Sequence, residues 1–377
     1  MVSFKECQTI KSIHPEALQP QMRWLILTGN QISVLPDTIS RCHKLQKLML
    51  SGNLISELPS FDVLSKLTNL ELIRLACNQL TRPPVDLLEA CPKLKWAAFA
   101  GNPFLDAIED SYVSSLPILD DPVLEDESWP VLGKGAGGVT RRVSWNGKDV
   151  AVKTFAGELT SDGSPQDEKA LSKLVTTAKD ALQGEFEPAL IELLGETKNS
   201  GALVMEFLEG FSAMAGPPSF ATCSRDVYDD SCRAALEGFP LWKIATDTLR
   251  VLSKLHSLGV SHSDFYGHNI LIQPKNPSHS VKVSDFGAAF LYQCNPKAKN
   301  NEDYFKFGKL VEAVEIRAYA VLVEELFELS KTIAEDKNEL EHPWKELLED
   351  CQFTGATFGA LCQTFHAQYT NRNFLKR

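Results

Sequence analysis

The chain has 377 residues, of which 44% are apolar and 23% charged, so it can bury an ordinary core and lacks the composition of disordered or collagen-like chains. Its 38 basic and 49 acidic side chains leave a net charge of -11, which disfavours nucleic acid and anionic membranes as partners. The nine cysteines form no C-x-x-C pair, and no apolar run approaches the ~20 residues that span a bilayer. We therefore expect a cytoplasmic protein with reduced thiols.

The length suggests two domains, and the charge distribution indicates where they divide. Residues 1–118 hold 11 basic and 11 acidic side chains, so residues 119–377 hold the other 27 and 38. Between them, residues 119–130 contain five acids and two prolines, a composition typical of an extended connector. We predict a first domain over 1–118, an acidic linker over 119–130 and a second domain over 131–372.

The first domain repeats itself. Asn30, Asn53, Asn78 and Asn102 follow similar apolar segments at spacings of 23, 25 and 24 residues, which is the period of a leucine-rich repeat. We predict a short solenoid of the α/β class, in which alternate strand residues point inward and each Asn satisfies buried backbone groups. In such an array the concave strand face would bind a protein ligand.

The first repeat is incomplete in sequence. Residues 1–8 show no recognisable strand or polar cap, whereas solenoids normally cap their ends. We therefore expect Met1 to begin inside a longer ancestral array. The core of the following layers should include Leu35 and Leu58.

The second domain opens with a glycine-rich string. Gly133, Gly135 and Gly138 form G-x-G-x-x-G, and Lys153 follows Gly133 by twenty residues in the segment VAVK. Glycines alone are a weak signal, because any turn can need them. Glycines at a hairpin tip that let the backbone approach phosphates, followed by a strand Lys for the α- and β-phosphates, indicate a nucleotide site.

Two further motifs follow in order. The segment GVSHSDFYGHNILI contains Asp264 and Asn269, and Asp285 follows in KVSDFGAA. With the glycine string and VAVK, these motifs resemble the protein kinase family over about residues 126–370. The resemblance implies a bilobal α+β domain that uses ATP and Mg²⁺, with Asp264 as the base and Asn269 and Asp285 as magnesium ligands.

The resemblance also implies an acid that pairs with Lys153 and a hinge that binds adenine. Glu168 and Glu185 compete for the first role, and we favour Glu168 because Gln183–Gly184 would interrupt a helix presenting Glu185. For the hinge, the segment ALVMEFLEG places Met205 beside the adenine. The backbone of Glu206 and Leu208 would hydrogen-bond it.

The chain departs from the family pattern at two positions of the catalytic loop. Ser263 stands where regulated kinases have the Arg that pairs with a loop phosphate, and Tyr266 stands where many serine/threonine kinases have Lys. In addition, residues 286–329 contain no Ser or Thr, so we expect activity without loop phosphorylation. An insert over residues 213–230 is predicted to be either a lid or a passive loop.

The sequence as a whole predicts a leucine-rich repeat protein kinase that phosphorylates protein serine or threonine hydroxyls, with repeats that recruit the substrate or another protein. Two alternatives stay open. One is a pseudokinase scaffold, which the presence of all five catalytic positions disfavours. The other is a small-molecule phosphotransferase of the antibiotic-kinase type, which VAVK and D-F-G disfavour.

Overall fold

The computed structural model describes residues 1–105, 116–135, 137–157, 159–160, 162–177, 187–274, 280–292, 302–333, 341–353 and 355–369. An N-terminal solenoid of parallel strands is followed by a domain with a strand-rich small lobe and a helical large lobe. This confirms the predicted fold class, a short repeat solenoid ahead of a bilobal α+β domain.

The solenoid contains one parallel sheet whose strands pair in chain order. In every three-residue strand the middle side chain is buried in the coil and its neighbours belong to the concave face, because successive strand residues alternate in direction. The strands are β1 (Val2–Ser3), β2 (Trp24–Ile26), β3 (Lys47–Met49), β4 (Leu72–Arg74) and β5 (Trp96–Ala98). Two short helices, α1 (Phe61–Leu64) and α2 (Val85–Ala90), lie on the returning segments.

The repeated asparagines bond adjacent coils together. The Asn53 amide nitrogen donates to the carbonyl oxygens of Leu50 and Leu27, both at 2.9 Å, and its oxygen accepts from the Ile32 N–H at 3.0 Å. Asn78 makes the equivalent three bonds one coil further on. The predicted structural role of the asparagines is confirmed, since buried backbone groups need partners.

Two details of the array differ from expectation. Val2–Ser3 forms a parallel strand on Trp24–Ile26, so the expectation that residues 1–8 hold no strand was wrong. Two residues are too few to show a periodic pattern in sequence. Leu35 is buried as predicted, whereas Leu58 is only half-buried.

The small lobe is a six-stranded sheet in the order β6-β10-β11-β9-β8-β7. Its strands are β6 (Ile118–Leu119), β7 (Val131–Gly135), β8 (Gly138–Trp145), β9 (Lys148–Phe155), β10 (Leu193–Thr197) and β11 (Leu203–Glu206). Helix α3 (Pro165–Thr177) packs beside β9. The glycine string therefore lies at a hairpin between the first two long strands, as the sequence predicted.

The large lobe is built around one long helix, α6 (Glu302–Ile333), which packs on α5 (Leu241–Ser257) and α7 (Glu341–Gln352). The other helices are α4 (Asp230–Leu236) and α8 (Phe358–Tyr369). Short strands carry the catalytic segments: β12 (Ser212–Ala213), β13 (Val260–Ser261), β14 (Ile270–Ile272), β15 (Val281–Val283) and β16 (Phe290–Leu291). No described helix is both long and apolar enough to cross a membrane.

The repeats and the large lobe share one apolar core. Phe290 and Phe307 of the large lobe are buried in the same cluster as Phe99 and Phe104 of the last repeat. The Phe99 and Phe290 ring centroids lie 5.6 Å apart, and those of Phe104 and Phe307 lie 5.4 Å apart. This cluster therefore joins the repeats to the large lobe, which also buries a separate apolar cluster of its own.

The concave face is covered by the kinase-like domain of the same chain. Leu72 and Trp96 are buried with Tyr266, Ala318 and Val321. The expectation of a protein ligand on this face therefore fails at β4 and β5, whose outward side chains are already buried. Sequence alone did not indicate this, because a concave strand face is normally open to solvent.

Candidate active site

The third glycine of the string is required by close backbone approach. Gly138 has φ of +148°, and a Cβ placed there would lie 2.1 Å from the Thr154 carbonyl oxygen. Around Gly133 and Gly135, by contrast, no atom lies within 4 Å of such a Cβ. The hairpin therefore has backbone exposed toward open space, which is the feature that phosphate binding needs.

The strand Lys pairs with the acid favoured by sequence. Lys153 lies on β9, and its ammonium contacts a carboxylate oxygen of Glu168 on α3. Burial raises the pKa of Glu168; the Lys153 charge lowers it, while the nearby Asp285 charge raises it further, and the net direction is upward. Glu185 lies outside the described residues.

The predicted hinge residues are half-buried at the end of β11. Met205 pairs with Ala151 across the sheet. The Glu206 N–H already donates to the Glu192 carbonyl oxygen at 3.0 Å, so only its carbonyl oxygen is left for a ligand. Leu208 follows two residues later, and adenine binding by these residues stays a prediction.

Asp264 and Asn269 come together in the catalytic loop. The Asn269 amide nitrogen donates to Asp264 Oδ2 at 3.0 Å and to the Asp264 carbonyl oxygen at 2.8 Å. The Ser284 N–H donates to the Asn269 carbonyl oxygen at 2.9 Å, which ties the loop to the segment carrying Asp285. The exposed Asp285 has φ of +62° and accepts from the Gly287 N–H at 3.1 Å.

Glu315 fixes the backbone just before Asp264. Its carboxylate accepts from the N–H of Ser263 at 2.6 Å and of His262 at 3.1 Å, and it also bonds His256 Nε2 at 2.6 Å. Burial alone would raise the pKa of Glu315, but the His256 contact and these N–H groups outweigh it and lower the pKa. The sequence did not indicate this role for Glu315.

The sequence missed one residue that contacts the predicted base. Arg74, at the end of β4, contacts Asp264 Oδ1 and donates to the Ser263 carbonyl oxygen at 2.8 Å and to Asp162 Oδ1 at 3.0 Å. Burial alone would lower the pKa of this guanidinium, but the Asp264 and Asp162 charges raise it. The sequence did offer one signal for Arg74. It is a charged side chain on the concave face of a strand whose other face is buried and apolar.

Trp96 of the next repeat also touches the catalytic loop. Its ring stacks on Tyr266 with centroids 4.2 Å apart and an interplanar angle of 7°. Its indole N–H donates to the Phe265 carbonyl oxygen at 2.9 Å. The repeats thus bond the backbone of the catalytic loop at the residue before Asp264 and at the residue after it.

The insert over residues 213–230 contacts the repeats and the catalytic loop. The Trp24 indole N–H donates to Cys223 Sγ at 3.3 Å, and Glu71 accepts from Ser224. Further along, Asp226 bonds His268 Nδ1 at 2.8 Å. Of the two alternatives left by sequence, a lid or a passive loop, neither describes a segment that joins the two domains.

The donor set at Asn269 and Asp285 fits a magnesium ion. Mg²⁺ prefers oxygen ligands and is usually held by one or two carboxylates together with phosphate oxygens and water. Both described bonds of the Asn269 side chain use its nitrogen, which leaves the amide oxygen as a ligand, and Asp285 presents an exposed carboxylate. Among the described residues no group of three or more His, Cys, Asp or Glu side chains is arranged to hold a metal.

Comparison with known families matches both halves. The family profile described as "Protein kinase domain" matches residues 127–305. The profile described as "Leucine rich repeat" matches residues 20–80. These two matches fall on the domain with the candidate site and on the repeats, respectively.

Individual relatives divide in the same way. The chain is 29% identical to the serine/threonine-protein kinase RAD53 of Saccharomyces cerevisiae over 163 residues, which are 42% of this chain and 17% of that protein. It is 25% identical to mitogen-activated protein kinase kinase 7 of Arabidopsis thaliana over 183 residues, 47% of this chain and 51% of that protein. Toll-like receptor 6 of Bos taurus is 26% identical over 114 residues, 30% of this chain and 14% of the receptor. The chain thus covers at most about half of these relatives' lengths.

Proposed function

Because the chain combines leucine-rich repeats with a protein kinase domain, we propose that it transfers the γ-phosphoryl group of ATP to a serine or threonine hydroxyl of a protein. The observation that carries the proposal is the ion pair between Lys153 and Glu168. In protein kinases this pair must be in place for catalysis, because it holds the Lys that positions the phosphates.

In this proposal each polar residue has one task. Lys153 binds the α- and β-phosphates, and the backbone of the hairpin at Gly133, Gly135 and Gly138 covers them. Asp264 orients the acceptor hydroxyl and takes its proton while the new oxygen–phosphorus bond forms and the bond to ADP breaks. Asn269 and Asp285 would hold magnesium, which when bound neutralises charge on the phosphates.

The covered concave face favours a second candidate, a phosphotransferase for small acceptors. Trp96 and Leu72 bury the Tyr266 side of the catalytic loop, which narrows the space for an extended peptide there. A small hydroxyl compound does not need this space. The protein acceptor remains our first proposal because the matched relatives on the kinase half are named as protein kinases.

The test is transfer from radiolabelled ATP by the full chain, with generic protein acceptors and aminoglycosides assayed in parallel. Lys153→Met and Asp285→Asn should each reduce transfer by at least ~10³-fold, while Lys148→Met, an exposed Lys on the same strand, should retain the wild-type rate. Label on aminoglycosides alone would support the second candidate. Magnesium-dependent transfer to neither acceptor class, with no ATP hydrolysis, would leave a scaffold role.

A further inference from the structure

We propose that Arg74 is a positioning residue for Asp264, so that the phosphotransfer site is completed by the leucine-rich repeats. This inference rests on the proposed function, because it takes Asp264 as the base. Its starting point is the guanidinium of Arg74, which is 2% exposed and contacts Asp264, Ser263 and Asp162 together.

Both carboxylate oxygens of the proposed base, Asp264, are held by contacts. Arg74 contacts Oδ1 of Asp264, and Asn269 donates to Oδ2. A carboxylate held at both oxygens loses the rotamer freedom that would otherwise misplace it, and pre-positioning of this kind is a large part of catalysis. Since Asn269 belongs to the catalytic loop itself, Arg74 is the contribution that comes from outside the kinase fold.

The catalytic loop over residues 262–269 contains neither Arg nor Lys. Position 263 is Ser and position 266 is Tyr, where the resemblance to protein kinases implies Arg and Lys. Tyr266 cannot take the Lys role, because its ring is stacked on Trp96 and its hydroxyl is buried without a hydrogen-bond partner in the described part of the chain. Arg74 supplies the missing positive charge from the third repeat.

A guanidinium suits this position better than an ammonium. Arg74 reaches one acceptor through Nε, another through Nη1 and Asp264 through Nη2. Its planar fork presents donors in fixed directions, whereas the Lys ammonium is a compact charge on a flexible stem. We therefore expect Lys at this position to preserve charge but lose part of the positioning.

We expect the contact between Arg74 and Asp264 to be permanent and not to open during regulation. An inhibitory contact must open to permit activity, but here the two domains share the buried cluster that includes Phe290 and Phe307. Interdomain interfaces allow relative motion by default unless they are large and apolar. The same core that keeps the domains together keeps Arg74 at Asp264 throughout turnover.

The experiment compares Arg74→Gln, Arg74→Lys and Asp264→Asn in the full chain. The control, Lys306→Gln, removes another interdomain ion pair, with Glu89 at 2.8 Å, away from the base. We measure kcat and KM for ATP on the best acceptor, affinity for ADP, and Tm. We expect kcat to fall ~10²-fold in Arg74→Gln and ~10-fold in Arg74→Lys, with KM for ATP and ADP affinity within about twofold of wild type. Lys306→Gln should match wild type.

The outcomes separate the two proposals. An inactive Asp264→Asn with wild-type kcat in folded Arg74→Gln would overturn the role of Arg74 and leave the proposed function intact. A rise in kcat in Arg74→Gln would overturn it too and identify an inhibitory contact instead. Wild-type protein without transfer, or an Asp264→Asn variant as active as wild type, would remove the proposed function and this inference with it. If Arg74→Gln fails to fold, an unchanged kcat in folded Arg74→Lys overturns the inference.

Discussion

The shared aromatic cluster makes Phe307→Ala the most informative single substitution. Phe307 is fully buried on α6, and its ring lies 5.4 Å from that of Phe104 and 5.8 Å from that of Phe99, centroid to centroid. The ring belongs to the large lobe, but its neighbours belong to the last repeat. Truncation should therefore loosen both domains, although it changes only one.

The expected loss of stability in Phe307→Ala follows from the burial of the ring. Replacing a fully buried Phe by Ala costs about 3–5 kcal/mol, because apolar contact is lost and a cavity remains. The unfolding free energy of a typical protein is about 5–15 kcal/mol, so the loss is a substantial fraction of the total. Phe305, two residues earlier on the same helix, is 67% exposed, and Phe305→Ala should change stability by less than about 0.5 kcal/mol.

Hydrogen exchange measured by mass spectrometry can follow each domain separately. One probe is the Leu50 N–H, which donates to the Arg74 carbonyl oxygen at 2.8 Å in the repeats; the other is the central part of α6. In Phe307→Ala we expect both regions to lose protection by the same free energy, with Phe305→Ala unchanged. Loss of protection in α6 alone, with the repeats at wild-type protection, would refute the shared core.

Three further predictions concern pH, the glycine hairpin and phosphorylation. Burial, and then the Asp226 charge, raise the pKa of Glu325 from 4.5 to about 7, so the folded state holds a proton that the unfolded state releases and stability falls as pH rises from about 4.5 to about 7. Glu325→Gln should abolish this slope in pH-dependent urea unfolding and stabilise the protein by about 3 kcal/mol at pH 8. Gly138→Ala should destabilise by more than about 1 kcal/mol and raise KM for ATP, whereas Gly133→Ala should leave Tm unchanged. Phosphatase-treated protein, verified by mass spectrometry, should keep its full rate; activity that is lost and returns on tyrosine rephosphorylation would contradict this.

The last expectation has structural support beyond the sequence. The tyrosines between residues 286 and 329 are 292, 304 and 319. Tyr292 and Tyr319 are buried, and their hydroxyls bond His256 and the Ala245 carbonyl oxygen. Tyr304 is half-buried and bonds the Phe104 carbonyl oxygen at 3.0 Å. Each hydroxyl is already engaged within the fold.

Local periodicity and motif spacing predicted the two fold classes well. The 23- to 25-residue asparagine spacing reflects a repeating set of short-range bonds, so it is visible in sequence. The same holds for Lys153 and for Asp264 with Asn269, because each motif is a short stretch of chain. Local helix propensity favoured Glu168, which does pair with Lys153, but its competitor Glu185 lies outside the described residues and the choice stays a prediction.

Contacts between distant parts of the chain could not be predicted in this way. Every catalytic motif follows Leu132, which suggested that the repeats only recruit a partner. Arg74 and Asp264 are 190 residues apart, and no local pattern marks which exposed strand residue will meet which loop. Besides the charge of Arg74, the large concave side chains Trp24 and Trp96 offered a hint, because aromatic residues on an open face usually have a partner.

The stack between Trp96 and Tyr266 makes a side chain of each domain depend on a side chain of the other. A substitution that gave position 266 a Lys would leave the Trp96 ring without the flat surface it covers and would place an ammonium in a buried apolar cluster. A change at one position thus favours a compensating change at the other, 170 residues away in the chain. We therefore expect that exchanging either the repeats or the kinase domain for a homologous module would lose this stack.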